Sequence, residues 1–285
     1  VSSTREALEM IKFSHTVFAL PFALLSAFQA ARGVPPWPAL FWILAAMVAA
    51  RTAAMSFNRL ADRRFDAKNP RTASRALPTG RLSVRFAAGM CAVSSLVFVF
   101  SACRLNHVAC VLAPPALAVV LLYSFTKRFT SLSHLFLGLC LGLAPVGAWI
   151  GVEGTFALPP ILLGSAVLFW TAGFDILYSL LDQEFDRKAG LYSLPAALGT
   201  RRALWLSADF HGVAVLLFCA YARAARGGVF LWAGIALATA VLVYEHVILR
   251  PADLSRVNTA FFTANGLVSI ALGLSGILDV TLGVR

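Results

Sequence analysis

Long apolar stretches recur along the chain, separated by short polar breaks. They fall at roughly 13–31, 39–57, 84–103, 107–125, 134–152, 159–181, 203–222, 229–249 and 257–280. Each is close to the ~20 residues that a helix needs to cross the hydrocarbon core of a bilayer. Backbone in lipid has no water to bond with, so these stretches predict helices rather than open sheet. The expected fold is an all-α integral membrane protein, a bundle of about nine transmembrane helices. It forms one polytopic domain over residues 1–285, with polar loops near 58–83 and 182–202. Pro21 and Pro145 fall inside predicted spans, where membrane bundles tolerate them. Arg5 and Lys12 before the first run resemble the start of a signal peptide. The run is too long for one and many like it follow, so it reads as a first span.

Composition agrees. Of 285 residues, 59% are hydrophobic and 13% charged, with a mean hydropathy of +0.79. A soluble domain carries roughly 25% charged residues to face water, so a water-facing surface of ordinary polarity is excluded. The net charge is +11, from 24 Lys and Arg against 13 Asp and Glu. With the N-terminus inside, alternating spans put 18 of the basic residues on the inner side and 5 outside, and Arg51 lies within a span. That bias predicts a cytoplasmic N-terminus in the cytoplasmic (inner) membrane. The excess is therefore not a nucleic-acid footprint. The five cysteines (Cys91, Cys103, Cys110, Cys140 and Cys219) lie in apolar stretches with no CxxC spacing. They are expected to be small core residues rather than ligands or bridges.

Acidic residues are scarce, and six of the thirteen stand in two short stretches. The first, Asn58 to Asp66, reads NRLADRRFD at the inner end of span 2. The second, Asp175 to Asp186, reads DILYSLLDQEFD at the inner end of span 6. Spacing of four puts Asn58, Asp62 and Asp66 on one helix face, and likewise Tyr178, Asp182 and Asp186. Arg51 and Asp175 each stand seven residues before a motif residue, which extends the parallel and suggests a duplicated half-site. Carboxylate and amide oxygens are hard ligands suited to Mg²⁺, which completes its shell with waters and substrate phosphates. Two such faces are expected to hold two Mg²⁺ ions around a diphosphate. Lys127 and Arg128 follow span 4 on the same side, and Arg63, Arg71 and Arg75 lie in the long inner loop. Lys and Arg are the usual phosphate partners.

The stretches NRLADRRFDAKNPRTASRALPTGRLS (58–83) and DILYSLLDQEFDRKAGLYSLPAALG (175–199) resemble the paired motifs of the UbiA prenyltransferase family. IKFSHTVFALPFALLSA (11–27) and YSFTKRFT (123–130) are similar to it as well. Within the family the chain most resembles 4-hydroxybenzoate polyprenyltransferases, including those of the futalosine route to menaquinone. The resemblance implies a nine-helix bundle with a cytoplasm-facing polar cap. It also implies transfer of a polyprenyl group from an isoprenyl diphosphate to an aromatic acceptor in ubiquinone or menaquinone biosynthesis. Asn58, Asp62 and Asp66 would bind one Mg²⁺, and Asp182 with Asp186 the other. Lys127, with Arg63 or Arg75, would contact the diphosphate. Asp175 and Tyr178 match family positions near the acceptor, and Glu184 falls where related sequences often carry an acid.

A hydroxybenzoate acceptor arrives as a carboxylate and needs a cation inside the protein. Arg51 fits that need, about two turns deeper than Asn58 on the same face; pairing with an acid such as Asp175 is its alternative role. His15 is read as an interfacial residue near the site, Glu245 and His246 as separate structural residues, and Asp209 and His211 as having no partner motif. There is no HExxH, GxSxG or P-loop, so zinc hydrolysis, serine hydrolysis and ATP-driven transport lack support. Two alternatives compete. One is a family relative acting on dihydroxynaphthoate, haem or chlorophyllide. The other is an ion-coupled transporter, which both acidic stretches lying at one membrane face disfavour.

Overall fold

The computed structural model describes residues 6, 10, 18–249, 254, 256–257 and 260–283. His15 and the 11–17 part of the opening motif lie outside the described residues. The helices in chain order are α1 (Leu20–Ala31), α2 (Trp37–Asp66), α3 (Val84–Leu105), α4 (His107–Thr126), α5 (Ser133–Glu153) and α6 (Leu158–Ser179). They continue as α7 (Gln183–Ala189), α8 (Leu194–Leu198), α9 (Thr200–Ala224), α10 (Val229–Ile248) and α11 (Asn265–Leu282). A 3₁₀ turn, Leu180–Asp182, joins α6 to α7, and a π turn, Ala260–Ala264, leads into α11. Among the described residues eight helical segments are long and apolar enough to cross a membrane, and Leu20–Ala31 is a shorter apolar helix. The all-α membrane architecture and a count near nine therefore hold. Pro21 stands in the first turn of α1, where its missing N–H costs nothing, and Pro145 lies inside α5.

The chain falls into two compact units. Among the described residues, the first contains Glu6, Met10 and Phe41–Phe125. Here the face of α2 meets α3 and α4 through edge-on aromatic pairs, Trp42 with Phe100 and Phe57 with Phe125, both at 5.5 Å. Met10, Ala76, Leu77, Leu82 and Ala87 form a small core under the loop that follows α2. Only Asn106 separates α3 from α4, and its Oδ1 accepts the Ala109 N–H at 2.9 Å, capping α4. This tight hairpin faces Cys103 to Cys110, and the two form a disulfide with Cα atoms 4.1 Å apart. The expectation that all five cysteines are unbridged is thus corrected. A one-residue break between two antiparallel helices brings positions on either side of it together, which CxxC spacing does not test. Cys91, Cys140 and Cys219 are free.

The second unit contains Val17–Leu40 and Thr126–Arg285. Its core joins Phe22, Leu25, Leu163, Trp170, Phe174, Phe218 and Leu272 with their neighbours. Helices α5 and α6 pack most closely at Gly138 and Gly142. A Cβ on Gly138 would fall on the Leu168 carbonyl oxygen, and one on Gly142 on that of Gly164. Small residues at this seam let two backbones approach, which is how helices gain packing contacts where lipid removes the hydrophobic drive. Three buried polar side chains are tied to one another. Trp170 Nε1 donates to Asn265 Oδ1 at 2.8 Å, and Asn265 Nδ2 donates to Glu245 Oε1 at 2.9 Å.

Candidate functional site

The first acidic stretch closes α2. That helix runs without a break to Asp66, beyond the predicted span end at 57, so the spacing of four becomes a true shared face. Asn58 Nδ2 donates to Asp62 Oδ2 at 2.8 Å. The loop after α2 then folds back on it. Thr72 Oγ1 donates to the Asp66 carbonyl at 3.1 Å, and an Asx turn sets the Arg71 N–H on Asn69 Oδ1 at 3.0 Å. These turns carry Arg75 to Asp66, with Nη1 2.7 Å from Oδ1. Arg59, which the sequence pattern did not single out, is buried beside them. Its Nη1 lies 3.3 Å from Asn58 Oδ1 and 3.9 Å from Asp66 Oδ2. Arg63, expected in the loop, lies instead in the last turn of α2, because the helix runs on to Asp66. It and Arg71 are exposed, and Arg51 is partly buried two turns before Asn58 on α2.

This donor set fits Mg²⁺. Three oxygen-bearing side chains share one face, and buried Asp66 Oδ2 accepts no hydrogen bond and has only the Arg59 guanidinium beside it, at 3.9 Å. A buried carboxylate oxygen left unsatisfied is costly, and a hard cation would offset that cost. Among the described residues no three His, Cys, Asp or Glu side chains converge as a preformed metal cage. Mg²⁺ is commonly held by one or two carboxylates plus substrate phosphates, so it does not require such a cage.

The second stretch, in the other unit, differs from its expected form. Tyr178, Asp182 and Asp186 were predicted on one continuous helix face. Instead α6 ends at Ser179, whose Oγ donates back to the Ile176 carbonyl at 2.9 Å, and the chain tightens into the 3₁₀ turn before α7 begins. Back-bonding of this kind bends helices. Asp182 and Asp186 are nonetheless both buried, at 8% and 2% exposure. Lys127 approaches Asp186, Nζ to Oδ2 at 3.3 Å, and its carbonyl accepts the Tyr192 N–H at 2.7 Å. Gly190, at φ +67°, caps α7 and turns the chain toward that contact. Glu184 stands apart: it is exposed and paired with Lys188 at 2.6 Å.

Asp175 and Tyr178 lie one turn apart on α6. Tyr178 stacks on Phe261 at 4.2 Å, at the end of an aromatic series running through Phe174 and Trp170 to Phe22. Asp175 Oδ2 is 2.6 Å from His134 Nδ1, a contact that the sequence pattern did not reveal. His211 has no partner motif in the sequence, and Glu245 and His246 read there as separate structural residues. In the fold His211 Nδ1 lies 2.9 Å from His246 Nε2 and 3.7 Å from Glu245 Oε2. Residues of α9 and α10 meet across a helix pair, and spacing along either helix alone could not show it.

The family model described as the UbiA prenyltransferase family matches residues 19–267. A 4-hydroxybenzoate octaprenyltransferase of Aromatoleum aromaticum is 31% identical over 85% of this chain and 82% of its own length. One of Cronobacter sakazakii is 31% identical over 88% of each. The apo structure of a UbiA homolog from Aeropyrum pernix K1 superposes with a TM-score of 0.85 at 37% identity, over 93% of this chain and 98% of that one. A UbiA homolog from Archaeoglobus fulgidus, bound to DMAPP and Mg²⁺, shares the fold with a TM-score of 0.72 at 22% identity, covering 95% and 99%.

Proposed function

This chain belongs to the UbiA prenyltransferase family and is a prenyltransferase, and from that premise we propose its substrates and its site. It transfers a polyprenyl group from an isoprenyl diphosphate to 4-hydroxybenzoate or a close aromatic acid, in ubiquinone or menaquinone biosynthesis. Asn58, Asp62 and Asp66 hold one Mg²⁺, and Asp182 with Asp186 the other. When bound there, Mg²⁺ would supply positive charge against the departing diphosphate. The chain's own cations do the rest of that work. Arg75 and Lys127, each already beside a motif acid, turn their positive ends to the phosphate oxygens, with Arg63 on the exposed side. Preorganised charge of this kind commonly supplies the largest share of a catalytic effect. Arg51 takes the acceptor carboxylate, and Asp175 and Tyr178 border the acceptor. Both acidic loops and the N-terminus face the cytoplasm, as the 18-to-5 basic bias favours.

The observation that carries this reading is the pairing of acid with base in both stretches. Arg75 stands 2.7 Å from Asp66 and Lys127 stands 3.3 Å from Asp186, so each acidic stretch has a cation of its own to offer a polyanion. The named activity of the octaprenyltransferase relatives supports the choice of acceptor. The test incubates membranes with Mg²⁺, a prenyl diphosphate and labelled 4-hydroxybenzoate, with dihydroxynaphthoate, haem and chlorophyllide in parallel. Prenylated 4-hydroxybenzoate that disappears in Asp62→Ala and Asp182→Ala is the expected result. Robust transfer by both variants refutes the metal sites, and product only with another acceptor refutes the substrate.

A further inference from the structure

Asp175 is held by a side chain from another helix. His134, the second residue of α5, is fully buried (0% exposed), while the Asp175 side chain retains 15% exposure. The two imidazole nitrogens have different partners. Nε2 lies 3.4 Å from the backbone nitrogen of Leu194, and Nδ1 lies 2.6 Å from Asp175 Oδ2. A backbone N–H can only donate, so Nε2 presents its lone pair. The ring proton then sits on Nδ1, where it donates to the carboxylate. The Leu194 N–H belongs to the first turn of α8, where Ser193 Oγ takes the Ala196 N–H at 3.3 Å. His134 is therefore fixed at both ends, by the loop that follows the second acidic stretch and by the helix that carries its first acid.

We infer that His134 is a positioning residue for Asp175: its Nδ1–H engages one carboxylate oxygen, sets the rotamer and leaves the other oxygen to meet the aromatic acceptor. The inference rests on the proposed placement of Asp175 beside the acceptor and adds what holds it there. A buried group that makes two directed hydrogen bonds, one to a partly accessible carboxylate, is the arrangement by which supporting residues orient groups that touch substrate. His134 itself has no accessible surface and touches no substrate.

The test is a double-mutant cycle on the purified full chain in detergent, with geranyl diphosphate and 4-hydroxybenzoate. His134→Leu removes both bonds and is expected to lower kcat/KM for the acceptor about 10- to 100-fold, the loss of a hydrogen bond to a charged group. KM for the diphosphate should stay within twofold. His134→Gln carries a donor and an acceptor on one amide, so it should recover most of the loss. In an Asp175→Ala background, His134→Leu should add nothing further, because there is no carboxylate left to orient. A merely structural role for His134 would make the two losses multiply, or would move both KM values together; either result overturns the inference. Should His134→Leu unfold, His134→Gln decides alone: folded and near wild type supports the inference, folded and as impaired as Asp175→Ala overturns it. If the wild type prenylates no arene, the functional reading and the inference fall together. Additive losses in an active enzyme sink the inference only.

Discussion

Arg75 lies against Asp66, Nη1 to Oδ1 at 2.7 Å, though the two stand nine positions apart in the sequence. The same carboxylate is proposed to bind Mg²⁺, so its guanidinium neighbour and the metal compete until diphosphate offers Arg75 another anion. Arg75→Ala should therefore tighten Mg²⁺ binding in the absence of substrate, as read by calorimetry. It should also raise KM for the prenyl diphosphate about tenfold or more. Arg75→Lys should recover little of that loss, because the bidentate fork is gone. Weaker metal binding in Arg75→Ala would contradict the competition.

Asp66→Asn and Asp186→Asn keep shape and burial but remove charge. Each should lower kcat by roughly 100-fold or more, since preorganised charge dominates such sites. Chelation with EDTA should abolish turnover in the wild type and added Mg²⁺ restore it. Glu184→Gln is the contrast. Its side chain is exposed and paired only along α7 with Lys188, and exposed i,i+4 pairs contribute little. Steady-state kinetics and melting temperature should match wild type, and a large loss of activity would place Glu184 in the site.

Arg51→Ala should raise KM for the aromatic acid while leaving prenyl diphosphate affinity intact. Neutral phenols lacking the carboxylate should respond little to the change. Unaltered acid kinetics would remove Arg51 from the acceptor's surroundings.

The glycine seam predicts a stability difference. Gly142→Val drives a side chain into the Gly164 carbonyl and should cost about 1–3 kcal/mol or more by overpacking. Gly89 on α3 has open space where its Cβ would stand. Gly89→Ala should therefore be neutral or gain up to about 1 kcal/mol from reduced backbone freedom in a helix. Thermal unfolding in detergent separates the two.

Much of this was legible in sequence for physical reasons. Apolar length reports membrane spans directly, because a run of about 20 apolar residues in lipid matches a helix that bonds its own backbone, not a shorter barrel strand. The Asn58–Asp62–Asp66 face was legible because α2 continues unbroken through it, so period and geometry agree. The second stretch was legible in composition but not in shape. Ser179 bends the backbone through a bond to Ile176, which no spacing rule contains. Contacts that join distant helices left no local trace. His134 stands 41 residues from Asp175 and 60 from Leu194, and His211 meets His246 from 35 away. Arg59 is one of many basic residues in the sequence, and only its burial beside Asp66 distinguishes it.

The Cys103–Cys110 bridge has a bearing on topology. It closes a small covalent ring over a sequence separation of 7, around the turn between α3 and α4. Disulfides persist in oxidising compartments such as the bacterial periplasm and are reduced in the cytosol. Thiol blocking of intact cells followed by mass mapping would show whether the ring is closed, and so which compartment the turn faces. The pair is an internal reporter of orientation, independent of charge counting. A closed ring would place the acidic end of α2, one span away along the chain, across the membrane from it.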